Sequence, residues 1–363
     1  MKKLTALLLV FSMMLLCACG ETVPEESLSE LPDMEWQNKF MEIYGFHPDL
    51  FYALESNEAN ERLAKLWLEN PIEKWGSAYA SQAQTTKEMV DSQLVMVENW
   101  LREMEESLAY IKECYPEYGA KLEEEQILWK EAATLRSSLA VDLLCYANSY
   151  GTIALVHQAT ERSELCRERA FRLFYIETVC METKGDTAHV LGLQMIVPEG
   201  MEVETVAEAP GSGFDNYYGT LLEAGVSADF AENNPIDAWA EEYQGASEGY
   251  TWYAEVLITN WKREMEESIA HISACFPEMK EQLEKEAAAW GKGILGQDFL
   301  GLSETLGIKT DVHEMLALQE TVEQYRRRAL FLFCMETACV ECQELSERPA
   351  DFVPEIELIL PEK

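Results

Sequence analysis

The chain has 363 residues, of which 66 are Asp or Glu and 28 are Lys or Arg, giving a formal net charge of -38 at pH 7. A surface of that sign makes nucleic acid and anionic lipid poor partners and draws in cationic proteins, or serves only to keep a surface protein soluble. The length exceeds what one small core serves and points to about two domains.

In chain order, Lys2 and Lys3 precede an apolar run from Leu4 to Leu16. The run is too short to span a membrane comfortably and has the length of a signal-peptide core. Leu16-Cys17-Ala18-Cys19 follows, with a small residue before Cys19 and Leu three before it. That spacing resembles the lipobox of exported lipoproteins. It predicts a signal peptide over 1–18, lipidation of Cys19 and an extracytoplasmic chain anchored to the membrane by N-terminal lipid. Residues 19–33 are acidic, carry Pro24 and Pro32, and read as a tether.

An internal duplication decides the rest. Asn99-Trp100-Leu101-Arg102-Glu103-Met104-Glu105-Glu106-Ser107 recurs as Asn260-Trp261-Lys262-Arg263-Glu264-Met265-Glu266-Glu267-Ser268. Upstream, Asn70-Pro71-Ile72 matches Asn234-Pro235-Ile236, and downstream Arg169-Ala170, Leu173-Phe174 and Cys180 match Arg328-Ala329, Leu332-Phe333 and Cys339. Trp129 aligns with Trp290 in the same register. Trp100, Met104, Leu108, Ile111 and Tyr115 form a helical stripe, repeated as Trp261, Met265, Ile269, Ile272 and Phe276. Pro116 and Pro277 end it. The expected fold is all-α: two tandem helical bundles of about four helices, over 34–186 and 214–345, with an extended linker between them. That linker, 187–213, reads as a small hairpin or an extended passage, and the tail 346–363 has a similar strand-like look.

Cys114 with Cys180, and Cys275 with Cys339, occupy equivalent positions and predict one disulfide per unit in an exported chain. Cys145 and Cys166 offer a further bridge in the first unit. The lone Cys339-x-x-Cys342 has no partner motif and gives no metal site. The five histidines are scattered, and none recurs cleanly between the copies. No nucleophile elbow, phosphate loop or dinucleotide fingerprint is present, so the sequence gives no catalytic residue and no cofactor. Glu103 and Glu264 recur with Arg169 and Arg328, which predicts a structural Glu–Arg ion pair between helices of each unit. The repeated tryptophans lie in the apolar stripes and read as packing anchors.

Trp100 to Glu103, Leu122 to Trp129 with Gln126 before the Trp, Gly151-Thr152 and Arg167 to Leu173 form a series of motifs. In that series the repeated unit resembles the LprI-like family of lysozyme-inhibitor lipoproteins. The second copy keeps Trp261 to Glu264, Leu283 to Trp290 and Arg326 to Leu332, with Ala287 in place of the Gln. The resemblance implies a helical protein that binds lysozyme, and host lysozymes are cationic. The expected function is therefore a lipid-anchored binding protein, not an enzyme, that sequesters or inhibits a cationic protein. The rival expectation is an accessory lipoprotein that bridges protein partners in cell-envelope assembly.

Overall fold

The computed structural model describes residue 66 and residues 70–146, 152–203, 234–243, 250–293, 310–345 and 355–360. The expected signal peptide, Cys19, the tether, Gly151, the Cys145 and Cys342 side chains, residues 204–213 of the expected linker and residues 346–354 and 361–363 of the tail lie outside the described residues. Among the described residues the regular structure is helical. The elements are α1 (Pro71–Gln82), α2 (Thr86–Cys114), α3 (Pro116–Tyr146), α4 (Ile153–Lys184), α5 (Pro235–Tyr243), α6 (Tyr250–Cys275), a 3-10 turn at Pro277–Met279, α7 (Lys280–Gly293) and α8 (Thr310–Leu345). No described helix is long and apolar enough to cross a membrane.

Local chemistry sets the helix ends. Asn70 caps α1, its side chain accepting from the Ile72 and Glu73 amides at 3.0 and 3.3 Å, with Pro71 in the first turn where its missing N–H costs nothing. Thr85 and Glu88 form a reciprocal capping box at the start of α2. Only Tyr115 separates the end of α2 from Pro116, which starts α3, so the proline both ends one helix and opens the next. Gly185 (φ 63°) closes α4: its amide bonds the Glu182 carbonyl, and the Asp186 amide reaches back to Met181. This is the Schellman arrangement, which needs the left-handed conformation that glycine adopts freely.

The chain divides into two compact units, Met1–Glu124 with Leu155–Tyr217, and Glu125–Ala154 with Tyr218–Lys363. The division falls inside α3 and near the start of α4, not between the sequence repeats. In the first unit Trp100 is wholly buried on α2 and meets Phe171 of α4 at 5.7 Å between ring centres. α4 has buried residues on every face from Ala170 to Met181 except Arg172, as a central helix does. In the second unit Trp261 is equally buried, and Ala329 to Glu336 form an unbroken buried run on α8. The latter part of α3 belongs to this unit. There Arg136 lies 4.8 Å over the Phe331 ring, Asp142 accepts from Gln282 at 2.6 Å, and Gly293 abuts the Leu128 carbonyl.

Candidate functional site

The repeated Asn-Trp-x-Arg-Glu motif places Asn, Arg and Glu along one side of a helix while its Trp enters the core. Asn99 is itself buried, donating to the Val95 carbonyl one turn back at 2.9 Å. Its remaining groups bind the main chain of one distant residue, donating to the Ile196 carbonyl at 3.1 Å and accepting from the Ile196 amide at 2.8 Å. Two residues earlier on that extended segment, the Gln194 amide donates to Glu103 at 3.1 Å. Arg102 donates to both Glu103 and the Gln194 carbonyl.

The second unit repeats this geometry. Asn260 bonds Val256 at 2.9 Å and holds Ile359 by its carbonyl at 3.0 Å and its amide at 2.7 Å. Glu264 accepts from the Glu357 amide at 3.1 Å, and Arg263 joins Glu264 to the Glu357 carbonyl. Each helix thus presents the donors and acceptors that a neighbouring β-strand would, because a side-chain amide has the same hydrogen-bonding groups as a peptide. The segment it holds is a strap: residues 187–203 in the first unit and 355–360 in the second. Residues 187–203, expected as a linker, are bound to their own unit by α2 and, at the far end, by the Trp75 indole, which donates to the Met201 carbonyl at 3.2 Å. A reverse turn at Gly200 (φ 84°) follows Pro198, but no strand pairs with the strap, so the hairpin alternative does not form over the described residues.

Burial raises both clamp carboxylates above the usual range, against the opposing pull of the adjacent arginine and the strap amide. The Glu–Arg expectation is corrected here. Glu264 pairs with its neighbour Arg263, whereas Arg328 makes a two-pronged ion pair with Glu286, both side chains fully buried. Arg328 also donates to the Met265 sulfur at 3.1 Å and lies 4.7 Å over the Trp290 ring. Glu103 pairs with Arg102, while Arg169 is buried on α4. The first arginine of each Arg-x-Arg motif ties the last helix to the Asn-Pro-Ile helix. Arg326 grips Asp237 through contacts of 2.8 to 3.0 Å, and Arg167 approaches Glu73 at 4.0 Å. Trp129 and Trp290 are buried like the other repeated tryptophans.

The disulfide expectation is also corrected: no disulfide joins Cys114 to Cys180 or Cys275 to Cys339. Burial pushes Cys180 up to about 12, with a contribution from the nearby Cys114. It therefore stands as the protonated thiol and not as the thiolate that disulfide exchange requires.

Two residues that the sequence left scattered meet equivalent partners. His189 contacts Glu177 at 2.6 Å and stacks on Tyr110, whose hydroxyl donates to Asp186 at 3.1 Å. In the second unit His271, at the position of Tyr110, contacts Glu336 at 2.5 Å, and Ser268 donates to the same carboxylate at 2.7 Å. The two carboxylates are equivalent, but their histidines come from different elements, so alignment of the copies does not find them. The straps did leave a signal: Gln194-Met195-Ile196-Val197-Pro198-Glu199 matches Glu357-Leu358-Ile359-Leu360-Pro361-Glu362. Among the described residues no group of three or more His, Cys, Asp or Glu is placed to hold a metal ion.

Comparison of the chain with models of known families, with characterised proteins and with solved structures gave no match.

Proposed function

We propose that the chain is a lipid-anchored extracytoplasmic binding protein of two tandem helical units that sequesters or inhibits a cationic protein, lysozyme being the first choice. The observation that carries this reading is the division of labour among its carboxylates. Those at Glu103, Glu264, Glu286 and Glu336 are buried and engaged with residues of the chain. A second set recurs on the outside: Glu105 and Glu106 on α2, and Glu266 and Glu267 on α6, are exposed in both units. Glu98, Glu113 and Glu255 add to those faces. Glu106, Glu266 and Glu267 lie 3.6 to 3.9 Å from Arg102, Lys262 and Arg263, yet the faces stay acidic in sum; a predominantly negative field, built twice, speeds encounter with a basic partner and orients it. The lipobox-like Cys19 and the LprI-like motifs point the same way.

The test is lysozyme digestion of bacterial cell walls followed by turbidity, with the full soluble chain from Gly20 onward and an unrelated protein of similar acidity as control. Inhibition that survives physiological salt and is absent from the control is the expected outcome. Replacing Glu105, Glu106, Glu266 and Glu267 together by Gln should slow association and flatten its salt dependence. No inhibition at any salt would sink the lysozyme reading. The duplication itself favours a second reading, an accessory lipoprotein that bridges partners in envelope assembly. Crosslinking in the native envelope would then recover a resident bacterial protein.

A further inference from the structure

The straps are bound along one edge only. In an extended chain the amide and carbonyl of alternate residues point to opposite sides. Residues 194 and 196, like 357 and 359, turn theirs toward the clamp. The intervening Leu193, Met195 and Val197, and Ile356, Leu358 and Leu360, turn theirs away and have no hydrogen-bond partner. Large apolar side chains stay in solvent beside these open groups. Val190 is 80% exposed, Ile196 53% and Val197 37%; Ile359 is 56% and Leu360 50%. A row of unpaired peptide groups flanked by apolar side chains is a template for strand addition.

We propose that the free edge of the first strap, Leu193–Val197, is a self-association surface that pairs antiparallel with the same strap of a second copy. Two observations select this occupant. Identical edges related by a twofold axis are self-complementary, since Met195 then faces Met195 of the second copy and Leu193 faces its Val197, each donor meeting an acceptor. Leu191 to Val197 also carries no charge, so no like charges are brought opposite one another. The second strap carries Glu355 and Glu357, and self-pairing there sets carboxylate near carboxylate, which disfavours it. The chain's net charge opposes any approach of two copies, so salt strengthens this dimer. That dependence is opposite in sign to capture of a cationic partner, and the proposal stands apart from the function proposed above.

The experiment is sedimentation equilibrium of the full soluble chain at low and physiological salt. It is repeated with Ile196→Lys, which charges the exposed face but leaves the main-chain bonds to Asn99, and with Ile359→Lys as the control strap. Met195→Pro, which removes a free-edge amide, serves as a second variant, and circular dichroism checks that each chain is folded. A dimer that tightens with salt, weakens roughly tenfold or more in Ile196→Lys and Met195→Pro, and is untouched by Ile359→Lys is expected. A wild-type chain that stays monomeric overturns the proposal, as it would if the edge takes a strand from another protein. A dimer indifferent to Ile196→Lys overturns it too, even if Met195→Pro does not fold.

Discussion

At the scale of single residues, the Arg328–Glu286 pair is the most exposed to mutation because it is the most hidden from water. Both side chains are fully buried, and the guanidinium also engages Met265 and Trp290. Removing one partner strands the other charge, so Arg328→Met should destabilise the fold by about 3–5 kcal/mol, read from urea unfolding. Adding Glu286→Leu should recover much of that loss; a double variant as weak as the single one would mean that the charges are not what matters. Glu164 supplies a pH signature. Desolvation, reinforced by Glu73, Glu168 and Glu161 against the pull of Arg167, pushes its carboxyl up to about 7 from 4.5. Between those values the folded chain keeps a proton that the unfolded chain releases, so stability is fullest below 4.5 and falls as pH rises toward 7. With 40% of the side chain exposed, solvent screening keeps the effect modest. Unfolding midpoints measured from pH 5 to 8 should fall less steeply in Glu164→Gln than in the parent. The sequence marked Glu264 and Arg328 as recurring but joined them to each other. Recurrence identifies residues that matter without saying which neighbours they face. Glu286 lies one turn before Trp290, on the face that α8 covers, whereas Glu264 looks outward to a strap.

At the scale of elements, the helices were legible, whereas of the straps only the extended character and the repeated hexapeptide were. Periodic tryptophans and aliphatic residues, Asn-Pro at a helix start and Pro116 at a boundary are local signals, and the helices follow them closely. A strap has no second strand to reveal it, and the side chains that hold it lie 97 and 99 residues upstream in the chain. Its hold can be tested at Asn260. Asn260→Leu removes both bonds to Ile359 and should cost about 1–3 kcal/mol. Hydrogen exchange should quicken at the Glu357 and Ile359 amides, while the helices keep their protection. Uniform loss of protection would show that the strap and the bundle unfold as one. Close approach of helices gives another contrast. A Cβ on Gly293 meets the Leu128 carbonyl oxygen at 2.3 Å, a backbone contact that cannot yield cheaply. A Cβ on Gly76 meets the flexible Met96 thioether instead. Gly293→Ala should therefore lose about 1–3 kcal/mol in thermal unfolding, and Gly76→Ala clearly less.

At the scale of the whole molecule, 66 acidic groups cannot all find partners among 28 basic ones. The surplus repels itself in the compact state. Raising salt from about 10 mM to about 150 mM shortens the reach of that repulsion to roughly 8 Å and should raise the unfolding midpoint. A midpoint that falls with salt would mean that attractive surface pairs outweigh the surplus.

The division inside α3 bears on how the chain is made and how it can be cut. Glu125–Ala154, with Leu139, Ala140 and Leu143 almost wholly buried, belongs to a unit whose other residues follow Tyr218. On the ribosome this stretch emerges early and waits, its apolar stripe uncovered, for helices still to be synthesised. A gene cut between the two repeats severs it from them: one fragment carries an orphaned greasy surface, and the other lacks part of its own wall. The repeats are copies of one unit, but they are not separable parts.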